Sequence, residues 1–288
     1  MDLIKCFEIQ KQFSFKRAMM ISSIYLEIKN MNMIKFILIL SSFMTVLILV
    51  NLNNVVSYSE DLSNQTTKSN TTKFDISALV FEADSSPFNL TYADWTAKWW
   101  QWAYSIPQSI HPAYDDTGKF CKESQKEPVW FFPGTYQHSV IRYCEIPYGV
   151  GILFPLLNSE CSFAEYPRMK TKEELSNCAK KIQDKTVPEF ATLDGVKIPN
   201  LENYRIQSDI FNFTLPENNI LDLPPETSQA VSDGNWVFLK PLPPGDYELK
   251  FKGNIKTTNN ETNGGTDKDE FAGPIGWNYT TTYILTVK

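Results

Sequence analysis

Three short apolar runs follow one another near the middle of the chain: VWFFPG (129–134), SVIRYCEIP (139–147) and VGILFPLLN (150–158). Each has the length of a β-strand, is rich in β-branched and aromatic residues, and ends at turn residues. Tyr148-Gly149 fits a tight connection between the second and third runs, so we expect these two to pair as antiparallel neighbours. The pattern is typical of a β-sheet protein.

Similar strand signals extend to the C-terminus, and Asp194-Gly195 marks a hairpin between two of them. An opening strand is also expected at FDISALVF (74–81). Many short strands between turns, without an internal repeat, predict a mainly β fold, an antiparallel β-sandwich of jelly-roll or Ig-like type. A division near residue 188 into two domains is the alternative.

Two helices are expected to decorate this sandwich, at about 92–105 and 171–186. Both start at a capping box, in which a threonine hydroxyl and a carboxylate three residues later bond each other's backbone amides. The two pairs are Thr91 with Asp94 and Thr171 with Glu174. In the first helix Trp95, Trp99 and Trp102 recur at helical spacing on one face.

The only long uncharged apolar run, at residues 36–50 and weakly on to 52, precedes the strands. Basic residues flank its N-terminal side, the side that stays in the cytoplasm. Its length lies between that of a signal-peptide core and that of a minimal spanning helix, so residues 31–57 are a signal peptide or a membrane anchor. We expect residues 74–288 to be an extracytoplasmic β-rich domain, secreted or anchored at the outer face of the cell membrane.

Two further segments flank the apolar run. Residues 1–30 have no periodic apolar face and are either a cytoplasmic extension or the product of a mis-called start, because the chain from Met31 reads as a compact signal peptide on its own. Residues 58–73 are polar and without periodicity, which predicts a flexible spacer before the domain.

Four of the five cysteines lie in the predicted exported part, and an even number in an oxidising compartment predicts two disulfides. Three pairings are possible, and we favour sequence neighbours, Cys121 with Cys144 and Cys161 with Cys178. A zinc site is the alternative, but the C-x₂-C spacing is absent and the chain has only two histidines. We therefore predict no metal and no other cofactor.

The net charge of the chain restricts the class of molecule that it can bind. The chain has a net charge of −6 at pH 7, and the basic residues concentrated before residue 58 leave the exported part more acidic still. An acidic surface disfavours nucleic acid as a partner. N-x-[ST] triplets predict glycan attachment at a host with that machinery. They begin at Asn64, Asn70, Asn89, Asn212, Asn260 and Asn278.

A set of motifs carries a resemblance. These are WTAKWWQWAYSIP (95–107), VWFFPGT (129–135), RYCEIPYGVGILFPLLNSEC (142–161) and SDGNWVFLKPLPPGDYELKFKG (232–253). In this order they resemble a family of exported bacterial and archaeal proteins of unknown function. The resemblance covers residues 90–253, implies an exported protein, and carries no activity or site residue.

The tryptophan-rich helix is the first candidate for ligand binding, as an aromatic platform on which sugar rings stack. Trp100 lies off the ridge and is the best candidate for an exposed ring, with Trp99 and Trp102 beside it. The alternative is that the ridge packs the helix onto a sheet. Arg142 and Asn158, next to the apolar strands, are further ligand-binding candidates.

The second candidate is a carboxylate pair. Carboxylates at the edge of an apolar pocket can have raised pKa values that suit acid–base chemistry, as in glycosidases. The candidates are Glu160, Glu165 and Glu145, with His138 as a possible helper. Ordinary ion pairs at strand ends are the alternative.

The sequence thus favours a non-enzymatic module of the cell surface that binds a glycan, an envelope component or another surface protein. A secreted hydrolase that uses paired carboxylates is the alternative, and a purely structural component of a surface layer is a third. The membrane itself is a partner through residues 36–52 if the apolar segment is not cleaved.

Overall fold

The computed structural model describes residues 75–136, 138–255 and 278–288. These residues form ten strands, two α-helices and five short 3₁₀ helices. The strands are β1 Val129–Phe131, β2 Val140–Ile146, β3 Gly151–Ser162, β4 Thr186–Leu193, β5 Val196–Lys197, β6 Arg205–Gln207, β7 Phe211–Leu215, β8 Glu226–Leu239, β9 Gly245–Ile255 and β10 Thr280–Val287. The helices are α1 Tyr92–Tyr104 and α2 Lys172–Gln183, and the 3₁₀ helices are Ile76–Leu79, Pro87–Asn89, Gln108–Ile110, Pro112–Tyr114 and Leu201–Tyr204.

The strands form two five-stranded sheets. The first has the order β1-β3-β8-β6, with β7 also paired to β8, and the second has the order β2-β10-β9-β4-β5. Strands from either side of residue 188 pair in both sheets, because β3 pairs with β8 and β2 pairs with β10. The predicted mainly β sandwich with two helices is confirmed.

Alternation along the strands builds two apolar layers. Phe154 of β3 faces the second sheet and contacts Phe251 of β9, with ring centroids 4.6 Å apart. The neighbouring Leu153 points the other way and packs with Phe238 beneath α1. Because β3 is covered on both faces, almost all of its side chains are buried. The helix α1 thus forms a third layer over the first sheet.

The predicted pairing of the second and third apolar runs is wrong, because β2 and β3 lie in different sheets. The strand β2 pairs in parallel with β10, and β1 pairs in parallel with β3, so each sheet is mixed instead of wholly antiparallel. The burial patterns explain the separation. β2 alternates between buried and exposed residues, which suits an edge strand with one solvated face, whereas β3 is a central strand. The turn at Tyr148-Gly149 carries the chain from one sheet to the other.

The predicted opening strand at residues 74–81 is also wrong within its described part. Ile76–Leu79 is a 3₁₀ helix, and Val80 forms a single bridge to Leu239. The Asp75 side chain accepts a hydrogen bond from the Ser77 amide, and such local bonds favour a turn over an extended strand. The other local predictions hold, because both capping boxes are formed and Asp194-Gly195 joins β4 to β5.

Two disulfides join Cys121 to Cys144 and Cys161 to Cys178, which confirms the predicted pairing. The first attaches the segment before β1 to β2, and the second attaches β3 to α2. Disulfides persist in oxidising compartments, so the two bonds indicate an extracytoplasmic protein. Within the described ranges, no helix has the length and apolar character needed to span a membrane. The apolar run at residues 36–50 and the spacer at 58–73 lie outside those ranges.

Candidate functional site

A cavity of about 400 Å³ lies at one end of the sandwich, a volume within the usual range for small-ligand sites. Its walls come from both sheets and from α1. They include residues 155–160 of β3, residues 251–253 of β9, the loop at 133–136 and the C-terminal half of α1. Aromatic and aliphatic side chains dominate the lining.

A β-bulge in β3 shapes this cavity. The pairing with β8 shifts by one residue between Pro155 and Leu157, so the side-chain alternation is reversed beyond that point. Leu157 now faces Gly253 of β9, while Asn158 and Glu160 turn towards α1. Without the bulge these two polar side chains would continue the apolar face on which Phe154 lies.

The helix α1 supplies the aromatic wall. The rings of Trp99 and Trp100 lie 5.1 Å apart and nearly perpendicular, and Tyr104 lies 5.1 Å from Trp100 one turn later. Trp99 also packs on Trp236 of β8 and donates its indole hydrogen to the Phe132 carbonyl at 3.1 Å. These contacts fix the orientation of the wall.

Two carboxyl groups meet beside this wall. Glu160 is only 7% exposed, accepts a hydrogen bond from the Tyr104 hydroxyl, and lies beside the carboxyl of Glu165. The Ser162 hydroxyl donates to Glu165 Oε2 at 2.9 Å. Burial, and then the neighbouring Glu165, raise the pKa of Glu160 well above its ordinary value.

Three buried polar atoms of the lining have no hydrogen-bond partner among the described atoms: Trp100 Nε1, Asn158 Nδ2 and Glu160 Oε2. An unsatisfied buried polar group costs about 1–3 kcal/mol. The residues that line the cavity therefore include two unsatisfied donors beside an acidic pair.

The structure brings together five of the residues singled out from the sequence: Trp99, Trp100, Asn158, Glu160 and Glu165. The expectation of an exposed aromatic platform is wrong. Trp99, Trp100 and Trp102 are 3%, 6% and 6% exposed, because the helix lies flat on the first sheet. Trp102 does not line the cavity, since it packs on Phe131 and donates to the Glu123 carbonyl at 2.9 Å. Packing of the tryptophan ridge onto a sheet, the alternative interpretation, is confirmed.

Two other candidates, Glu145 and His138, lie at the surface away from the cavity. Glu145 is at the surface between Lys122 and Lys288, whose hydrogen bonds lower its pKa, Lys288 having the larger effect. His138 is exposed and contacts Asp116 at 3.1 Å. Both belong to the outer face of β2 and its neighbouring loops, so neither can act with Glu160.

Arg142 is 1% exposed and does not line the cavity. Its guanidinium donates to the backbone carbonyls of Ala113, Asp115 and Gly134 and to the hydroxyl of Tyr283. The planar fork thereby fastens two loops to the second sheet. Because Ala113 and Gly134 line the cavity, Arg142 supports its wall from behind.

The sequence analysis missed Tyr104 and Tyr136 of the lining. Tyr104 follows Trp100 by four residues, so the helical period places it on the cavity side. Pro155 inside an apolar strand run was the available signal for the bulge. Tyr136 lies in a loop, and no periodicity could have assigned it to the site.

Three of the six predicted glycosylation sites lie in the described residues. Asn89, Asn212 and Asn278 are exposed, while Asn64, Asn70 and Asn260 lie outside the described residues. Glycosylation remains a prediction. In the part of the chain that the structure describes, no group of three or more His, Cys, Asp or Glu side chains could hold a metal ion.

Comparison with known proteins finds no family model and no curated protein that matches the chain. Among solved structures, the chain is similar to the one titled "Structure of PbICP-C in complex with falcipain-2", at 10% identity and a TM-score of 0.20. The match covers 56% of this chain and 98% of that one, and a likeness this slight transfers neither fold nor function.

Proposed function

We propose that the chain is an exported binding module of the cell surface that takes a small group, such as part of a glycan or another envelope component, into the cavity beside α1. The observation that carries the proposal is the pair of buried, unpartnered donors, Trp100 Nε1 and Asn158 Nδ2, in an aromatic-lined cavity. A ligand with oxygen acceptors would satisfy both donors. Its apolar face would rest on the aromatic rings.

The geometry does not favour the hydrolase alternative. A glycosidase holds its two carboxyls about 5 to 10 Å apart, so that the sugar or a water fits between them. Glu160 and Glu165 instead lie beside each other, since Glu165 adds to the effect of burial in raising the pKa of Glu160, and the Tyr104 and Ser162 hydroxyls each donate a hydrogen bond to one of the two carboxyls. Glu145 and His138 lie at the surface elsewhere and cannot complete a different pair with Glu160. Binding is therefore the function that the cavity supports best.

We also propose that residues 31–57 direct export and either are cleaved or anchor the domain to the outer face of the membrane. The apolar run, its basic N-terminal flank and the two disulfides support this placement. The module would then present its cavity outside the cell, with glycans on the exposed sequons in a host that attaches them.

A glycan array tests the binding proposal. The full chain is produced in a secretory host, so that both disulfides form, and it is compared with Trp100→Phe and Trp102→Phe. Trp100→Phe removes a donor of the cavity, whereas Trp102→Phe makes the same exchange on the same helix outside the cavity. We expect a defined set of glycans to bind the wild type and Trp102→Phe, and to bind Trp100→Phe about fivefold or more weakly. The proposal fails if no glycan binds, or if Trp100→Phe binds as well as the wild type.

A further inference from the structure

The cavity combines an acidic pair with aromatic walls. We infer that its ligand carries a positively charged nitrogen, an ammonium group, seated between the aromatic rings of α1 and the carboxyls of Glu160 and Glu165. This inference rests on the proposed binding function and specifies the chemistry of the bound group. It has three supports in the structure: the state of the carboxyl pair, the aromatic wall, and the other charges of the lining.

The carboxyl pair is the first support. Glu160 is buried, and its Oε2 has no hydrogen-bond partner among the described residues. Tyr104 and Ser162 each stabilise one oxygen of the pair by donating a hydrogen bond, but they carry no positive charge. An ionised carboxylate in an apolar wall is unfavourable without a counter-charge. A bound cation would supply that counter-charge.

The aromatic wall is the second support. The ring of Trp100 lies 5.1 Å from those of both Trp99 and Tyr104, and the Tyr104 hydroxyl bonds Glu160 of the carboxyl pair. The faces of such rings attract cations, most strongly those of tryptophan, and cages of aromatic rings hold substituted ammonium groups. A neutral apolar ligand would use the rings and leave the carboxyl pair without any counter-charge.

The other charges of the lining are the third support. Two lysines contribute to it, Lys185 and Lys252. The ammonium of Lys252 is 2.8 Å from a carboxylate oxygen of Glu189, so its charge is already balanced. The groups that shift the pKa of Glu160 are its burial, Glu165 and Tyr104. Neither lysine is among the groups that shift the pKa of Glu160, and the carboxyl pair is the acidic group bonded to the aromatic wall, through Tyr104.

The test compares ligands of the same shape with and without the charge. Binding of choline is measured against 3,3-dimethylbutan-1-ol, in which carbon replaces the nitrogen, and binding of glucosamine against glucose. The first pair represents a free or lipid-derived ammonium and the second an amino sugar of a glycan. The full-length protein, Glu160→Gln and Glu145→Gln are titrated by calorimetry. Glutamine at position 160 retains an acceptor for Tyr104 and a donor for Glu165, and a thermal melt confirms that the variant is folded.

We expect at least one cation to bind the wild type about tenfold or more tightly than its neutral partner, and this preference to fall several-fold in Glu160→Gln and to persist in Glu145→Gln. Whichever pair shows the preference identifies the source of the ammonium. Equal binding of charged and neutral partners overturns the inference and leaves the binding function intact. Failure of all four probes, together with a glycan array positive for neutral sugars, also overturns the inference alone. If the array is blank as well, the proposed function fails with it.

Discussion

Glu160 in β3 lies beside Glu165, just beyond the end of that strand, in the wall of a cavity to which α1, β3 and β9 contribute, and burial and then Glu165 raise the pKa of Glu160. The bulge at Pro155 turns Glu160 to this side, and the Tyr104 hydroxyl fixes one of its oxygens. A buried acid pair of this kind weakens the folded state at neutral pH, so its presence points to a role other than stability.

The effect of the pair on stability can be measured through pH. Burial and Glu165 raise the pKa of Glu160, so the folded chain holds the proton more tightly than the unfolded chain. The protonated carboxyl of Glu160 makes its full contribution to the free energy of unfolding below the pKa that this group has in the unfolded chain, whose ordinary value is 4.5. That contribution is lost as the pH rises through the raised pKa of the folded chain. Glu160→Gln cannot lose that proton. We expect thermal melts in which Glu160→Gln loses less stability than the wild type between about pH 5 and pH 8. Parallel pH profiles of the two proteins would contradict this account.

The two tryptophans differ in what their indole hydrogens bond. Trp102 Nε1 donates to the Glu123 carbonyl, whereas Trp100 Nε1 has no partner. Both phenylalanine variants lose ring volume, but only Trp102→Phe breaks a hydrogen bond. We expect Trp102→Phe to be less stable than Trp100→Phe by about 1 kcal/mol in urea unfolding. The reverse order of stability would show that the Trp100 indole has a partner of its own in the folded protein.

Arg142 provides a prediction about the cavity wall. Its buried guanidinium donates hydrogen bonds to backbone carbonyls of two loops and to the hydroxyl of Tyr283. A lysine ammonium lacks the planar set of donors and cannot reach both loops at once. We expect Arg142→Lys to lose about 3 kcal/mol or more of the free energy of unfolding, measured by chemical denaturation. A loss below about 1 kcal/mol would mean that the guanidinium does not hold the loops together.

The Cys161–Cys178 disulfide joins α2 to β3 close to the carboxyl pair. In the chain-entropy model, closing a loop of this size stabilises a protein by about 3 kcal/mol. The double variant Cys161→Ala, Cys178→Ala should lose that amount in urea unfolding. The Cys121→Ala, Cys144→Ala variant is a matched comparison, since its loop is similar in length. Unchanged unfolding of either variant would indicate that the disulfide does not constrain the unfolded chain.

Local chemistry made much of the fold predictable. The capping boxes at Thr91 and Thr171 start both helices, and Asp194-Gly195 forms its hairpin, because these signals act between residues close in sequence. The pairing of β2 with β10 could not be predicted in the same way. The neighbour of a strand in a sheet is determined by contacts between residues that are distant in sequence. The turn at Tyr148-Gly149 therefore gives no information about the sheet that the next strand joins.

The site was predictable only in part. Glu160 and Asn158 were candidates because they follow an apolar strand, and the structure does place them in the cavity. Glu145 met the same criterion, yet it lies on the solvated face of the edge strand β2 with two lysines. Proximity in sequence does not determine the face on which a side chain lies when a bulge reverses the alternation. Tyr104 was missed because its role depends on a contact 56 residues away.

The indole resonances of the tryptophans test the central claim most directly. The chain has seven tryptophans, and the Trp100 signal can be assigned from its loss in Trp100→Phe. The account predicts that choline, or the strongest glycan of the array, shifts the Trp100 indole N–H resonance, while those of Trp95 and Trp102, which bond backbone carbonyls, stay in place. If saturating ligand leaves the Trp100 signal unmoved, or shifts Trp102 as much, the cavity beside α1 is not the binding site.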